Sequence, residues 1–562
     1  MVLRGAHAVL RCLKLEGVRK LFTIVGDTIL PICDAAVDLG LDLVDARHEA
    51  AALHMADAWT RVTGEPAVAL VTGGPGFANA VSALPAIHAS ESPVVLLAGC
   101  AEIRDLGRYA FQEIDQVGLA APVTKGAWMV LDRRRIPDML AAAFRTALTG
   151  RRGPVHVTVP IDIQEAVVGE EDLPQYSPGE YREAGRPHGD PRLIDDAVAL
   201  LQRAQRPVLI AANAARHAVA PATLRHFVEL LEVPCFTVEQ ARGLLSDDHP
   251  LCFGYADPAL NETARHFADA DVILLLGKRL DHRYRYGLPP FFAPSASLIQ
   301  IDPASEEIGR NRGVRLGIWG DPDAVLAQMS AAARGGRPQA SPWLAQLART
   351  RDAQRRRFES LATDEAPLHP MRVLREVDTI TTADTVLVVD GGDYAGWARS
   401  YLRARNPGGW LRIGPLAQLG CGVPYALGAK LARPAAEVVL IVGDGSFGFY
   451  AMEYDTAVRH RIPFTAVMGN DALWGIDRNF QLAYYGRATG TELRRVRYDR
   501  TVESLGGYGE YVERAADLAP AIERARASGA PALVNVIVRN VPCPLAEAMI
   551  ARKSGRRPAV ER

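Results

Sequence analysis

Short apolar runs alternate with longer stretches of helical apolar spacing along nearly all of the 562 residues. Such runs, bounded by turn residues, are typical of strands buried in a parallel sheet, because helices cover both of its faces. The pattern therefore predicts an α/β protein with several doubly wound parallel sheets. The predicted strands are 43–46, 67–72, 93–99, 154–160, 207–212, 271–277, 297–302, 385–392, 438–445, 464–470 and 532–538.

Two stretches, 165–191 and 334–342, lack this periodicity and are rich in proline, glycine and charge. They divide the chain into three predicted domains and a tail. The first and third domains share strands that end in glycine-rich turns, which suggests two related domains around a middle one. The predicted segments are 1–165, 191–333, 365–540 and the tail 541–562.

Composition excludes several classes of protein. Apolar residues make up 48%, charged residues 23%, and the net charge is −1, so neither nucleic acid nor an anionic membrane is an expected partner. The seven cysteines are scattered without a CxxC motif, which argues against a disulfide framework or a zinc site. No long uninterrupted apolar window and no signal peptide are visible, so we expect a cytoplasmic protein without membrane spans.

Two predicted strands end in an acidic turn. The run 438–442 stops at the GDGS of 443–446, and the run 464–468 stops at the GND of 469–471. Ligands of open α/β sheets bind beyond the carboxyl ends of strands. A helix that starts at Ser446 would suit a phosphate, but Asp444 would repel it. A magnesium ion shared by Asp444, Asp471 and a diphosphate removes this conflict, whereas two ordinary turns are the plainer alternative.

GDGS followed by Asn-Asp resembles the metal and diphosphate motif of thiamine diphosphate enzymes, in which Asn-Asn is usual at the second place. The resemblance implies thiamine diphosphate and Mg2+ as cofactors. It implies metal ligands at Asp444, Asp471 and the backbone carbonyl of Leu473. Asp471 departs from the family pattern, but a carboxylate is a competent magnesium ligand. We therefore expect the same site with one extra negative charge.

The segment Arg47-His48-Glu49 matches the place of a family glutamate that contacts N1′ of the aminopyrimidine. A carboxylate there favours the tautomer that can deprotonate the thiazolium, so Glu49 is implied to be an acid–base relay. The alternative is a carboxylate that interacts with a helix dipole. In the family this glutamate and the metal-binding aspartate come from different subunits, which implies a homodimer or homotetramer.

Other segments match family motifs that contact cofactor or substrate. TGGPGFAN at 72–79 resembles the pyrimidine loop, GGDY at 391–394 a cofactor-binding turn, and Leu419 the apolar wedge beneath the bent cofactor. FQE at 111–113 resembles a segment whose Phe and Gln face substrate, here Phe111 and a catalytic Gln112. The domains are thus implied to be pyrimidine-binding, middle and diphosphate-binding. The implied cofactor contacts are Glu49, Thr72, Pro75, Asn79, Gly391, Gly392, Asp393, Tyr394, Leu419, Gly443, Asp444, Gly445, Ser446, Asp471, Trp474 and Gly475.

Acetolactate synthases, lyases of the benzaldehyde lyase type and acyl-CoA enzymes are the candidate subfamilies. LGKRLDHRYRYGLPPFF at 276–292 resembles a stretch of the acyl-CoA enzymes. Its basic side chains are candidates for the phosphates of coenzyme A, or they form a basic loop paired with acids. The tail is either a lid over the site, carrying Arg552, Lys553, Arg556 and Arg557, or a frayed terminus. The basic residues of the loop are Lys278, Arg279, His282, Arg283 and Arg285.

The favoured function is a 2-hydroxyacyl-CoA lyase that releases formyl-CoA and an aldehyde or ketone, or condenses them in reverse. Glu492 is a candidate for the substrate hydroxyl proton; a surface ion pair with Arg494 or Arg495 is its alternative. An acetolactate synthase-like carboligase that acts on 2-oxo acids is the second candidate. A non-catalytic regulatory relative is the third, although the retained Glu49 and aspartates argue against it. No GxGxxG follows 207–212, so a bound flavin is not predicted.

Overall fold

The computed structural model describes residues 2–182, 185–333, 342–412 and 414–553. They contain three sheets of six strands each, flanked by helices, and every strand pairing described is parallel. This confirms the predicted α/β fold with three parallel sheets. Within the described residues, no helix combines the length and apolarity that crossing a membrane requires.

The first sheet has the strand order β2-β1-β3-β4-β6-β5. Its central strands β3 and β4 are buried at every position, because helices lie on both faces. The strands are β1 Lys20–Ile24, β2 Asp42–Asp45, β3 Ala67–Val71, β4 Val94–Cys100, β5 Ala127–Met129 and β6 Val155–Pro160. The helices of this segment are α1 Gly5–Leu15, α2 Leu30–Leu39, α3 Glu49–Thr63, α4 Pro75–Val81, α5 Leu84–Ser90, α6 Gln116–Ala120, α7 Ile136–Leu148, α8 Ile161–Glu165 and α9 Pro178–Tyr181.

The middle sheet has the order β12-β11-β10-β7-β8-β9, the open order typical of a dinucleotide-binding fold. Its strands are β7 Pro207–Ala211, β8 Cys235–Thr237, β9 Cys252–Tyr255, β10 Val272–Leu276, β11 Ser297–Asp302 and β12 Leu316–Trp319. The helices are α10 Pro191–Arg203, α11 Asn213–Ala218, α12 Pro221–Leu231, α13 Pro322–Ala332 and α14 Pro342–Ser360.

The third sheet has the order β14-β13-β15-β16-β18-β17, which repeats the order of the first sheet strand for strand. Its strands are β13 Val386–Asp390, β14 Trp410–Arg412, β15 Val438–Gly443, β16 Thr465–Asn470, β17 Tyr508–Val512 and β18 Ala532–Ile537. The helices are α15 Pro370–Ile380, α16 Asp393–Tyr401, α17 Gly422–Ala432, α18 Asp444–Tyr450, α19 Glu453–Arg459, α20 Gly475–Tyr485, α21 Tyr498–Ser504, α22 Ala515–Ala527 and α23 Pro544–Lys553.

The chain divides into two compact units. The first is drawn from residues 1–185, 413–434 and 450–462, and the second from 186–412, 435–449 and 463–562. Within the first unit, α17 packs directly on α3: a Cβ on Gly428 would lie 2.3 Å from the carbonyl oxygen of Met55. Only glycine permits this approach, which fixes the helix that begins at Glu49.

Every predicted strand is present, with ends that differ from the prediction by one or two residues. The strands that were not predicted are short, with three to five residues each: β1, β5, β8, β9, β12, β14 and β17. The domain boundaries stay predictions, although each sheet is drawn from one predicted segment. The predicted linker residues 334–341 lie outside the described residues, as do residues 183 and 184 of the first linker.

Candidate functional site

The acidic turns of the third sheet follow neighbouring strands. β15 pairs with β16 so that Gly443 lies opposite Gly469, and Asp444 and Asp471 follow at the same edge. Asp444 is only 2% exposed. Its burial and the nearby Asp471 raise its pKa to about 7. Burial also raises the pKa of Asp471.

Oxygen Oδ2 of Asp444 is buried and has no hydrogen-bond partner among the described residues. Two carboxylates, one of them unsatisfied, fit a divalent cation that would neutralise both. The described residues contain no cluster of three or more His, Cys, Asp or Glu side chains that could hold a metal. The Leu473 carbonyl stays the predicted third ligand of such a cation.

Close backbone approaches bring the turns of this edge together. Gly391 has a φ of +124°, and a Cβ there would lie 3.3 Å from the backbone nitrogen of Gly443. A Cβ on Gly445 would lie 2.7 Å from the ring of Trp474. Both positions require glycine, because any side chain would force the two turns apart. Ser446 is buried at the same edge.

The turn after β13 adds a third carboxylate. Asp393 Oδ2 accepts a hydrogen bond of 2.7 Å from Asn479, and Oδ1 accepts one of 3.0 Å from the backbone N–H of Cys543. Burial raises the pKa of Asp393. The ring of Tyr394 packs on Gly469, where a Cβ would lie 2.8 Å away. Asn479 was not a predicted site residue; it lies inside α20, where an asparagine carries no sequence signal.

Glu492 lies beside the loop that follows β16. It forms an antiparallel bridge with Leu473, and the backbone N–H of Trp474 donates to the carbonyl of Thr491 at 2.8 Å. The Glu492 side chain is exposed. No ion pair joins it to Arg494 or Arg495 within the described residues.

Glu49 begins α3 in the first unit, and its carboxylate is held by the loop at 72–79. Oε2 of Glu49 accepts a hydrogen bond of 3.0 Å from the Asn79 amide. The buried Glu453 accepts the backbone N–H of Arg47 at 3.0 Å, which fixes the turn before α3. The His48 ring caps the helix by accepting the N–H of Ala50 at 3.1 Å. Glu453 was not a predicted site residue, because it lies 406 residues away from Arg47 in the sequence.

The loop after β3 is fixed by two residues that the sequence analysis missed. Thr28 Oγ1 accepts the N–H of Gly73 at 2.8 Å, and Gln116 Oε1 accepts the N–H of Gly74 at 3.2 Å. Gly74 has a φ of +56°, and a Cβ there would lie 2.4 Å from the carbonyl oxygen of Gln112. The loop that carries Thr72 and Pro75 is therefore in contact with the FQE segment.

The FQE segment presents one exposed and one partly buried side chain. Phe111 is 74% exposed. Gln112 has a φ of +59°, and its Oε1 is buried without a hydrogen-bond partner in the part of the chain that is described. Leu419 is half-buried.

Comparison with protein families places these turns in a known context. The N-terminal, central and C-terminal domain models of thiamine pyrophosphate enzymes match residues 3–119, 194–329 and 390–536, the outer two described as TPP binding domains. The chain belongs to the thiamine pyrophosphate enzyme family. Thiamine pyrophosphate is the thiamine diphosphate that the sequence motifs imply.

Relatives of this family member carry two different names. It is 36% identical over 538 residues to the acetolactate synthase large subunit IlvG of Mycobacterium tuberculosis, covering 95% of this chain and 96% of the relative. It is 35% identical over 551 residues to 2-hydroxyacyl-CoA lyase 2 of Bos taurus, covering 91% and 85%. A probable acetolactate synthase large subunit of Methanocaldococcus jannaschii is 31% identical over 555 residues, covering 95% and 92%. The family is thus established, and the substrate is left open between the two names.

In this thiamine pyrophosphate enzyme, most of the basic loop is paired with acids. Lys278 is buried, with Nζ 2.7 Å from Asp281 Oδ2 and 4.7 Å from the centre of the Tyr284 ring. Burial lowers the pKa of Lys278. The remaining ion pairs are Arg279 with Glu307 at 2.9 Å and Arg283 with Glu239 at 2.8 Å. Arg279 and Arg285 are both exposed, but of these four predicted phosphate contacts Arg285 is the one without an ion pair in the part of the chain that is described.

The described part of the tail is a helix. Lys553, at the end of α23, lies with Nζ 3.9 Å from the centre of the Tyr484 ring of α20. Arg556 and Arg557 lie outside the described residues. The tail is thus anchored, through Lys553, on the helix that begins directly after the loop of Asp471.

Proposed function

We propose that the protein is a thiamine diphosphate- and magnesium-dependent lyase that cleaves a 2-hydroxyacyl-CoA to formyl-CoA and an aldehyde or ketone, reversibly. The observation that supports the cofactor chemistry is the buried Asp444 next to the partly buried Asp471, with one oxygen of Asp444 unpartnered among the described residues. The substrate class is supported by the similarity to 2-hydroxyacyl-CoA lyase 2.

Asp444, Asp471 and the carbonyl of Leu473 would hold Mg2+, which takes oxygen ligands from carboxylates, backbone and phosphates. Gly391, Gly392 and the turn at 443–446 would receive the diphosphate. A Cβ on Gly443 would meet no atom within 4 Å, so the backbone at this position is open to close approach. When bound, thiamine diphosphate supplies an electron sink for the carbanion released by C–C cleavage.

Glu49 would exchange a proton with N1′ of the aminopyrimidine. Asn79 holds one of its oxygens, which fixes the orientation of the carboxylate. The family pattern, in which this glutamate completes the site of a second subunit, leads us to propose a homodimer or homotetramer.

Phe111, Gln112 and Glu492 would contact the substrate. The unpartnered Oε1 of Gln112 is an acceptor suited to a substrate hydroxyl. Glu492, exposed beside Leu473, would take the proton of the 2-hydroxyl group as the C–C bond breaks. Arg285 and the tail 541–562, as a lid, would contact the phosphates of coenzyme A. Cytoplasmic location remains a prediction.

A second candidate is an acetolactate synthase-like carboligase that acts on 2-oxo acids. Lys278, Arg279 and Arg283 are already paired with acids, which leaves fewer cations for coenzyme A. The mycobacterial and archaeal relatives carry the synthase name.

The test is a substrate panel with the full-length protein, thiamine diphosphate and Mg2+. Lyase activity predicts formyl-CoA and aldehyde from 2-hydroxyacyl-CoA, measured by mass spectrometry, and no turnover of pyruvate. Acetolactate from pyruvate, with no cleavage of any acyl-CoA, would replace the lyase by the carboligase. No turnover in either arm would support the regulatory relative.

A further inference from the structure

The chain segment that follows β18 lies against the acidic edge of the third sheet. Its Val538 N–H donates to the carbonyl of Asn470 at 3.1 Å, and its Val541 carbonyl accepts the Trp397 indole N–H at 3.1 Å. Its Cys543 N–H donates to Asp393 at 3.0 Å. The segment 538–543 is therefore fixed by three hydrogen bonds to two elements, β16 and α16, beside the proposed metal site.

Asn540, in the middle of this segment, donates its side-chain amide to Asp471. The distance from Nδ2 to Oδ2 of Asp471 is 2.8 Å. The other oxygen of Asp471, Oδ1, accepts the backbone N–H of Leu473 at 3.1 Å. Both carboxylate oxygens are thus hydrogen-bonded to neutral donors, which holds the carboxylate plane in one orientation.

Gly475 provides the space for this contact. A Cβ at position 475 would lie 2.4 Å from Asn540 Nδ2 and 2.9 Å from Asp471 Oδ2. Any other residue would push the amide away from the carboxylate. The glycine and the asparagine therefore form one arrangement around Asp471, although they lie far apart in the sequence.

We propose that Asn540 is a positioning residue that orients Asp471 for a divalent cation, so that the extra carboxylate of this chain functions as a metal ligand. The inference rests on the proposed metal site. A neutral donor on Asp471 offsets part of its repulsion with Asp444 and removes rotational freedom that metal binding would otherwise have to freeze. Outer hydrogen bonds of this kind are worth about 10- to 100-fold in metal affinity.

The main test measures Mg2+ binding by calorimetry, with the full-length protein and saturating thiamine diphosphate. Asn540→Ala should weaken Mg2+ binding by about 10- to 100-fold. Gly475→Ala should weaken it similarly, because its methyl group displaces the amide. Arg539→Ala is the matched control: the neighbouring side chain pairs with Glu365 at 3.0 Å, and its loss should leave the affinity unchanged.

Two further readouts separate positioning from a merely structural role. At saturating Mg2+ the kcat of Asn540→Ala should return close to the wild-type value, because only the metal affinity is reduced. In an Asp471→Asn background, Asn540→Ala should lower the Mg2+ affinity by less than about 3-fold, because this background already lacks the charge-assisted hydrogen bond.

Equal Mg2+ affinity of Asn540→Ala and wild type would overturn the inference and leave the proposed function intact. Absence of Mg2+ binding by the wild-type protein would overturn both. Loss of the folded circular dichroism spectrum in both Asn540→Ala and Gly475→Ala would also overturn it, since Asn540 would then be a structural residue.

Discussion

The first and third sheets have the same strand order but opposite chemistry at the same edge. In the third sheet, Asp444 and Asp471 follow neighbouring strands, and one buried oxygen of Asp444 has no hydrogen-bond partner within the described part of the chain. In the first sheet, the neutral Gln116 amide lies after the corresponding strands. It bonds to Gly74, to the carbonyl of Gly99 at 3.2 Å and to Thr158 at 3.0 Å. The two sheets thus share their topology, whereas the charge and the hydrogen bonding of their turns differ.

The Glu49 carboxylate of the first unit and the Asp444 carboxylate of the second also differ in their surroundings. Glu49 is hydrogen-bonded by Asn79, whereas burial and Asp471 raise the pKa of Asp444 to about 7. A hydrogen-bonded carboxylate suits proton exchange, whereas a buried carboxylate with an unpartnered oxygen next to a second carboxylate suits a cation. The same strand order therefore carries two carboxylate environments with different chemistry.

Among the variants considered, removal of the Asp444 carboxylate from the third sheet should have the largest effect on cofactor binding. Asp444→Ala should weaken thiamine diphosphate binding in the presence of Mg2+ by about 100-fold or more, because the diphosphate loses its bridging cation. Calorimetry of the variant and the wild type, each with Mg2+ and with a chelator, measures this. Unchanged cofactor affinity of the variant would show that no metal bridge exists.

The corresponding change in the first unit should affect turnover instead of binding. Glu49→Gln keeps the shape and the contact with Asn79 but cannot exchange a proton. We expect kcat to fall by about 100- to 10,000-fold, with cofactor affinity within a few-fold of wild type. Steady-state kinetics and calorimetry on the same preparation separate the two effects. Near-normal turnover would remove Glu49 from the mechanism.

Buried histidines of the first unit should make the apoprotein sensitive to acid. Burial lowers the pKa of His54 and of His156 to about 4, from an ordinary value near 6.5. The folded protein therefore cannot take up the protons that the unfolded chain binds below about pH 6.5. Stability is present above that pH and is lost as the pH falls toward 4. Each histidine should lower the free energy of unfolding by roughly 2 kcal/mol when the pH falls from about 7 to 5.

His54→Phe isolates one of these contributions. The ring packs between Tyr425 and Tyr450 at centroid distances of 5.7 and 5.9 Å, and neither ring nitrogen has a partner among the described residues. An apolar ring should therefore fit. Urea unfolding at both pH values should show a smaller loss of stability for the variant. An identical pH dependence would show that His54 does not titrate as expected.

The smallest effect should come from restoring the usual family residue. Asp471→Asn keeps an oxygen ligand and removes one of the two mutually repelling charges. Cofactor affinity at saturating Mg2+ should change by less than about 5-fold. Cofactor titration monitored by protein fluorescence measures it. A loss of cofactor affinity as large as that of Asp444→Ala would contradict this prediction, because the charge of Asp471 would then be as necessary as that of Asp444.

The sequence pattern predicted those features of the fold and the site that depend on residues close together in the chain. The apolar runs located the central strands, and the turns at Asp444 and Asp471 stood out because each interrupts such a run. Gln116 and Asn540 could not be predicted, because their partners are 42 and 69 residues away and only the folded chain brings them together. The ion pair of Arg283 with Glu239 was open for the same reason. Strands such as β8 and β14 are too short to show a period.

The position of β18 has a consequence for the order of folding events. β18 enters between β16 and β17, and it pairs Thr465 of β16 with Ala532. This contact closes a long loop. The chain therefore loses the entropy of loop closure before the strand pairing can stabilise it. The segment with Asn540 follows β18 directly and can reach Asp471 only after this insertion. The acidic edge should therefore be among the last parts to acquire native order, and added metal should slow unfolding more than it speeds refolding.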